Sequence, residues 1–107
     1  MKRTKEFLAE LDGGMLAFFR EIAHEMVVRF GIPRAEAVAR INSAYEGADI
    51  EAYPDIMCHE LPEYWAVGLY FQARDGKLPH GDSDEDLSQW EVRPAPPKTS
   101  HVWTLNE

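Results

Sequence analysis

A single short stretch near the middle of the chain holds its densest mixture of ionisable and aromatic side chains. His59, Glu60 and Glu63 are groups that can exchange protons with a substrate. The neighbouring Tyr64 and Trp65 would partly desolvate a carboxyl and raise its pKa. A simpler interpretation is that the two acids precede a helix and interact with its N-terminal dipole, while the histidine bonds a backbone carbonyl. We favour the simpler interpretation, and a small-molecule or metal-dependent enzyme with its site around these three residues is the alternative function.

Two more specific chemistries are not supported by the spacing of the residues. His59-Glu60 resembles the start of a zinc-protease motif, but that motif needs a second histidine where this chain has Glu63. Cys58 stands beside His59, yet adjacent side chains usually point apart, so we expect a buried structural thiol rather than a nucleophile. The sequence therefore predicts no catalytic residue, no metal site and no cofactor, and it favours a non-enzymatic role.

The aromatic residues exceed what the core of a small domain must contain, and this surplus favours a binding surface. Tyrosine and tryptophan are the residues that most often carry the binding energy of interfaces. Tyr64 and Tyr70 are expected to be partly exposed, whereas Trp65 is of a type that usually belongs to a core. The candidate partner-binding residues are His59, Glu60, Glu63, Tyr64, Trp65 and Tyr70.

Charge and length limit the classes of partner. The 107 residues carry a net charge of −8 at pH 7, which argues against nucleic acid, because a phosphate backbone requires a positive surface. A basic protein partner fits this charge, and the acidic loops at residues 49–55 and 82–86 would steer it towards the aromatic residues. No apolar run approaches the roughly 20 residues that cross a bilayer, and no secretory signal is recognisable. We therefore expect one cytoplasmic domain, residues 1–107, with no membrane partner and with its oligomeric state left open.

Two predicted helices precede the central stretch. The first, near residues 15–30, has apolar residues at a period near 3.6, with Asp12 as its expected N-cap and Gly31 just past its end. The second, near residues 33–45, is expected to begin at Pro33, whose fixed φ suits a first helical position. The apolar stripe of the first helix consists of Met15, Phe19, Ile22, Ala23, Met26 and Phe30.

The central stretch fits either a helix or a strand. A helix would begin at Pro62 and run towards Arg74, with an acidic residue in its first turn. A strand is favoured by the aromatic content and would end in a hairpin turn at residues 75–76. Because Pro79 would cut off the partner of such a strand, we favour a third helix near residues 62–74.

The two ends of the chain are predicted to be less regular. Near the N-terminus, Phe7, Leu8 and Leu11 are expected in a separate turn of helix that folds back. The proline-rich segment 94–97 is expected to be an extended connector. The apolar residues of the tail that need burial are Trp90, Val92, Val102, Trp103 and Leu105. The fold class that follows is mainly α, with three helices and an extended C-terminal tail for which β pairing is left open.

The first two helices also resemble a helix-turn-helix in layout, because they are joined through Gly-Ile-Pro. Arg34, Arg40 and Asn42 would then reach phosphates or base edges. A recognition helix normally exposes several basic residues, however, and here acidic residues are in excess. A plain helical hairpin is favoured, and a DNA-binding helical hairpin is the second alternative function.

Residues 59–66 resemble a His-Glu-x-Pro-Glu-Tyr-Trp-Ala motif in a family of small bacterial proteins that has no established activity. A second element of that family, Gly-Ile-x-x-x-x-Ala-x-x-x-Ile-Asn, corresponds to residues 31–42 here. The matching residues are Gly31, Ile32, Ala37, Ile41 and Asn42, followed later by Leu69, Tyr70 and Phe71. The resemblance covers residues 16–71 and implies no catalytic residue. By analogy only, the small, acidic, single-domain character of the family is similar to that of immunity proteins, which neutralise toxins.

The leading hypothesis is a small, acidic, cytoplasmic domain that binds another protein, as an immunity or antitoxin-like inhibitor does. It rests on the small size, the acidity and the surplus of aromatic residues without a catalytic constellation. Its candidate surface is the segment around Glu63 and Tyr64.

Overall fold

Three α-helices make up most of the regular structure: α1 (Gly13–Phe30), α2 (Arg34–Tyr45) and α3 (Pro62–Tyr70). A computed structural model of the chain describes residues 2–3, 6–79 and 86–105. The mainly α class predicted from the sequence is thereby confirmed. Within the described ranges, no helix is both long and apolar enough to cross a membrane.

Helix α1 begins and ends at the signals that its sequence contains. The Asp12 carboxylate accepts a hydrogen bond from the backbone N–H of Met15 at 2.9 Å, which is the N-cap arrangement. Gly31 adopts the left-handed conformation, with φ of 69°, and its N–H donates to the carbonyl of Val27. The residues of the predicted apolar stripe are buried, except that Phe30 at the C-terminal end is half-buried.

The helical turn expected near Phe7 and Leu8 is wrong, because this part of the chain forms a strand pair instead. Strand β1 (Lys2–Arg3) pairs antiparallel with β2 (Glu10–Leu11). The backbone N–H of Leu8 donates to the side chain of Asn42 at 2.9 Å, so it is not used in a local helical hydrogen bond. Phe7 is fully buried all the same, because the hairpin lays it against α1.

Helix α2 begins one residue later than predicted, since Pro33 precedes it in an extended conformation. Glu36 and Arg40 form the expected i,i+4 ion pair, with 2.9 Å between Oε2 and Nε. Both Val38 and Ile41 are fully buried and join the core that α1 and the N-terminal hairpin complete.

Helix α3 confirms the choice of helix over strand but ends at Tyr70, so the predicted end at Arg74 is wrong. The chain leaves the helix because Phe71 forms an antiparallel bridge with Val92 in the tail. A tight hairpin follows, in which Arg74 and Lys77 exchange backbone hydrogen bonds of 2.7 and 2.9 Å. Its two central residues, 75 and 76, both have positive φ, as a primed hairpin turn requires.

The C-terminal tail is extended and pairs with the end of α3. The backbone N–H of Arg93 donates to the carbonyl of Tyr70 at 2.8 Å, next to the bridge at Val92. Val102 is buried as predicted, whereas the expected burial of Val92 is wrong, since its side chain stays exposed. Trp103 is half-buried and donates from its ring nitrogen to a backbone carbonyl. Most of the predicted acidic loop, residues 82–85, lies outside the described residues.

Candidate functional site

The segment between α2 and α3 is organised by a buried carboxylate. Asp55 is 7% exposed, and it accepts backbone hydrogen bonds from Met57 at 2.9 Å and from Glu51 at 2.8 Å. The bond from Met57 caps a short 3-10 helix, Ile56–His59. Asp55 therefore has a structural role, and the steering of a partner by this acidic loop stays a prediction.

A second anchor holds the segment against the start of α1. The Asp12 carboxylate that caps α1 also accepts from the backbone N–H of Tyr53 at 2.9 Å. Gly14 lies so close to Tyr53 that a Cβ at this position would overlap the tyrosine side chain. The Asp-Gly-Gly sequence at the start of α1 thus serves both the helix and the docking of this loop.

Trp65, in the first turn of α3, holds the middle of the segment. Its ring nitrogen donates to the carbonyl of Met57 at 2.9 Å, and Met57 itself is buried. Tyr64 packs edge-on against the Trp65 ring, with 5.0 Å between the centroids. Trp65 is half-buried and therefore acts mainly as a support, while Tyr64 is 41% exposed and available to a partner.

Two aliphatic side chains of this segment project into solvent. Ile56 is 83% exposed and Leu61 is 68% exposed, and Tyr53 and Tyr64 are exposed as well. Sequence reasoning missed Ile56 and Leu61, because neither belongs to a helical stripe or to an alternating strand pattern. We call five exposed residues of this segment the 53–64 surface: Tyr53, Ile56, His59, Leu61 and Tyr64.

The ionisable residues predicted as a site, His59, Glu60 and Glu63, lie on or beside this surface. His59 uses Nδ1 for a hydrogen bond with the carbonyl of Ile56, as the simpler interpretation predicted. Its Nε2 lies 3.9 Å from Oε2 of Glu60, and both side chains are largely solvated, which makes this a weak pair. Glu63 is in the first turn of α3, the position predicted for a dipole interaction.

Tyr70 does not join these residues, because its ring is used to pack helices together. It stacks on Phe30 of α1 with 4.2 Å between centroids and 6° between planes. The guanidinium of Arg40 lies 4.9 Å above the same ring. Tyr70 is half-buried, and its contacts assign it a role in packing α1, α2 and α3.

Cys58 is a half-buried thiol rather than an exposed nucleophile. Its Sγ lies 3.6 Å from the sulfur of Met15 in α1. Burial raises the pKa of the thiol above its ordinary value, which keeps it protonated near neutral pH. Across the described residues, no three side chains of His, Cys, Asp or Glu are grouped so that they could hold a metal ion.

The residues on which the DNA-binding alternative depends make contacts within the fold, and that alternative stays a prediction. Asn42 is 2% exposed, and Arg40 is 6% exposed and paired with Glu36. Arg34 pairs with the buried carboxylate of Glu6. Each of these side chains makes an intramolecular contact, and the burial of Asn42 does not favour a contact with base edges.

The electrostatic surroundings of the 53–64 surface are acidic. From residue 41 to residue 73 the chain contains no lysine or arginine. Five acidic side chains in this range are exposed or half-buried: Glu46, Asp49, Glu51, Glu60 and Glu63. A cation approaching this face therefore meets net negative charge that no nearby basic residue of the same segment offsets.

An apolar cavity of about 170 Å³ adjoins this surface. Tyr64 and Trp65 form one side of it, and Tyr45, Leu69 and Leu78 contribute to the rest. Because Tyr64 borders both the cavity and the exposed segment, a partner that contacts the segment could also place an apolar group in the cavity.

Comparison with known proteins gave no match: no family model, curated protein or solved structure is similar to this chain. The resemblance of residues 59–66 to a family motif therefore stays a prediction. In the segment that carries the 53–64 surface, exposed apolar side chains and acidic side chains occur together.

Proposed function

We propose that this protein is a non-catalytic domain that binds another protein through the 53–64 surface. The observation that carries the proposal is the exposure of Ile56 (83%) and Leu61 (68%) five positions apart in an anchored segment. Burial of such a side chain is worth about 1.5–3 kcal/mol. A single exposed leucine is ordinary, but a group of exposed apolar side chains marks a site of interaction.

The anchoring of the segment supports a preformed binding surface. Asp12 accepts from the backbone N–H of Tyr53 at its beginning, and Asp55 and Trp65 bind the N–H and the carbonyl of Met57 at its middle. A surface that is ordered before binding loses less conformational entropy when the partner arrives. Tyr64 adds an aromatic residue of the type that is enriched in binding hot spots.

The charge of this face favours a basic partner. Exposed or half-buried acidic side chains occur in the same part of the chain as the exposed apolar residues, a combination that suits an interface with an apolar centre and a polar rim. Opposite charge on the partner would accelerate association, and added salt would slow it. We further propose that binding inhibits the partner, as an immunity or antitoxin-like protein does, since the small size and acidity of the chain suit a domain that covers a basic site.

The experiment compares capture by three immobilised forms of the protein. The wild type, the double variant Ile56→Ser/Leu61→Ser and the control Val28→Ser are exposed to extract of the native cells, and bound proteins are identified by mass spectrometry. Val28 is 64% exposed on α1, so its replacement makes a similar chemical change outside the proposed surface. The captured partner is then purified, and its affinity and its own activity are measured with each form.

We expect one stoichiometric partner whose affinity falls at least tenfold, about 1.4 kcal/mol, in the double variant and stays unchanged in the control. Tyr64→Ala should weaken the same complex. Loss of the partner's activity on binding would support the inhibitor role. Equal capture by the double variant and the wild type would refute the 53–64 surface, and the absence of any stoichiometric partner would refute the protein-binding function.

A further inference from the structure

A second cavity, of about 280 Å³, lies where α2, α3 and the C-terminal tail meet. Arg40 and Ser43 line it from α2, Leu69 from α3, and Arg93 and Pro94 from the tail. None of these residues belongs to the 53–64 surface. The cavity thus brings two guanidinium groups together in a protein whose net charge is −8.

Arg40 is a buried cation whose Nε is hydrogen-bonded within the protein. Its side chain is 6% exposed, its Nε donates to Glu36 at 2.9 Å, and its guanidinium carbon lies over the ring of Tyr70. Within the described residues, no hydrogen bond to its two terminal nitrogens is found. Since no buried side-chain nitrogen there lacks a partner, these terminal nitrogens keep some contact with solvent, and Arg40 is one of the residues that line the cavity.

Arg93 is brought to the same cavity by the β pairing of the tail. Its backbone N–H donates to the carbonyl of Tyr70 at 2.8 Å, beside the bridge between Phe71 and Val92. Its Nε donates to the carbonyl of Gly68 at 3.3 Å. As with Arg40, its terminal nitrogens have no hydrogen bond to any other described residue, so their donors are available to a ligand.

The charges around the cavity do not balance within the protein. Two arginines line the cavity, and among the residues that the structure describes the one carboxylate paired with either of them is that of Glu36. A guanidinium held through Nε keeps two terminal donors in a fixed plane, which is the geometry that carboxylate and phosphate oxygens accept. The cavity therefore has more positive charge than its paired carboxylate offsets, and it has hydrogen-bond donors that no described acceptor uses.

We propose that this cavity binds a small molecule that carries an oxyanion, either a carboxylate or a phosphate. Arg40 and Arg93 donate to its oxygens, and the Ser43 hydroxyl, which lines the same cavity, supplies a further donor. Leu69 and Pro94 offer apolar surface for a small attached group. The volume is at the lower end of the usual range for ligand pockets, which limits the ligand to a few heavy atoms beyond the oxyanion.

The test is calorimetric titration of the full chain with inorganic phosphate and, separately, with succinate, in a chloride-matched buffer of low ionic strength. The variant Arg93→Gln removes one of the two cations, and its fold is checked by circular dichroism. Arg74→Gln is the matched control, because Arg74 is an exposed arginine stacked on Trp90 and does not line this cavity. Ser43→Ala is a second variant at an exposed helix position, where loss of folding is not expected.

We expect saturable 1:1 binding of at least one of the two probes, in the millimolar range or tighter. Arg93→Gln should weaken it at least tenfold, Ser43→Ala less, and Arg74→Gln less than twofold. Binding of phosphate alone would identify a phosphate ligand, binding of succinate alone a carboxylate, and binding of both the shared oxyanion chemistry. Absence of saturation with both probes, or equal weakening by Arg93→Gln and Arg74→Gln, would overturn the proposal.

Discussion

The side-chain amide of Asn42 donates to the carbonyl oxygen of Val102 at 3.0 Å, across 60 positions of the chain. The same amide also donates to the carbonyl of Glu6, while its oxygen accepts from the backbone N–H of Leu8. One residue of α2 therefore satisfies the backbone of both terminal segments. The ends of this small domain contain little regular structure. The Asn42 amide therefore supplies hydrogen bonds to backbone groups that a neighbouring β-strand would otherwise supply.

We expect Asn42→Ala to lower the free energy of unfolding by about 3 kcal/mol, because it leaves the N–H of Leu8 and the carbonyl of Val102 without this partner. The carbonyl of Glu6 keeps its hydrogen bond from the hydroxyl of Thr104. Urea denaturation followed by tryptophan fluorescence measures the change. Ser43→Ala is the control, since Ser43 is the next residue and is exposed. A loss in Asn42→Ala no larger than in this control would contradict the role assigned to the amide.

The buried Glu6 carboxylate should make folding sensitive to acid. Burial alone would raise the pKa of Glu6, but hydrogen bonds and charge from Arg34 and Arg20 together outweigh it and hold the pKa below its ordinary value of 4.5. Because the folded pKa is the lower one, the stabilisation is complete above about pH 4.5 and is lost as the pH falls through the folded pKa.

Glu6→Gln should therefore reduce stability at pH 7 by about 1–3 kcal/mol and should flatten the decline in stability below pH 4.5. Urea unfolding at a series of pH values from neutral to strongly acidic measures both effects. Glu10→Gln, at an exposed position of β2, is the matched control. The linkage is refuted if the two variants and the wild type lose stability in parallel as the pH falls.

Asp55→Ala should lower the free energy of unfolding and make the segment that carries the 53–64 surface less ordered. The replacement removes the cap of the 3-10 helix and the bond to Glu51, at an expected cost of about 1–2 kcal/mol. Amide hydrogen exchange should become faster across residues 51–60, while the middle of α1 keeps its protection. Asp49→Ala, which alters an exposed acid in the same loop, should change neither measurement. Unchanged exchange in Asp55→Ala would show that the carboxylate does not order the segment.

The helices illustrate what local sequence can predict. Helix α1 was predicted from its apolar period, from Asp12 before it and from Gly31 after it, because these signals act over four residues or fewer. Helix α3 is predicted from Pro62 but extended too far, since its end depends on the pairing of Phe71 with Val92, 21 positions further along the chain. The N-terminal strand pair is not predicted for a related reason. The residues between its strands are held by a distant part of the chain, since the N–H of Leu8 donates to the side chain of Asn42 in α2.

The candidate site was predicted only in part. His59 and Glu63 have the local hydrogen-bonding and helix-terminal positions expected of them, whereas Tyr70 packs against Phe30 and Arg40. The exposure of Ile56 could not be predicted from the sequence. An isolated isoleucine beside a methionine has no apolar period that would indicate whether its side chain faces the core or the solvent.

The amino-acid sequence by itself determined the class of the fold, the starts of the helices, the acidity and the stretch in which aromatic and ionisable residues meet. These depend on composition and on neighbours in the chain. Only the tertiary structure decided that Asn42 and Arg40 are internal, that Ile56 and Leu61 are external, and that Arg93 lies beside the same cavity as Arg40. The physical reason is that burial and charge pairing are set by contacts between segments far apart in sequence, which no local pattern encodes.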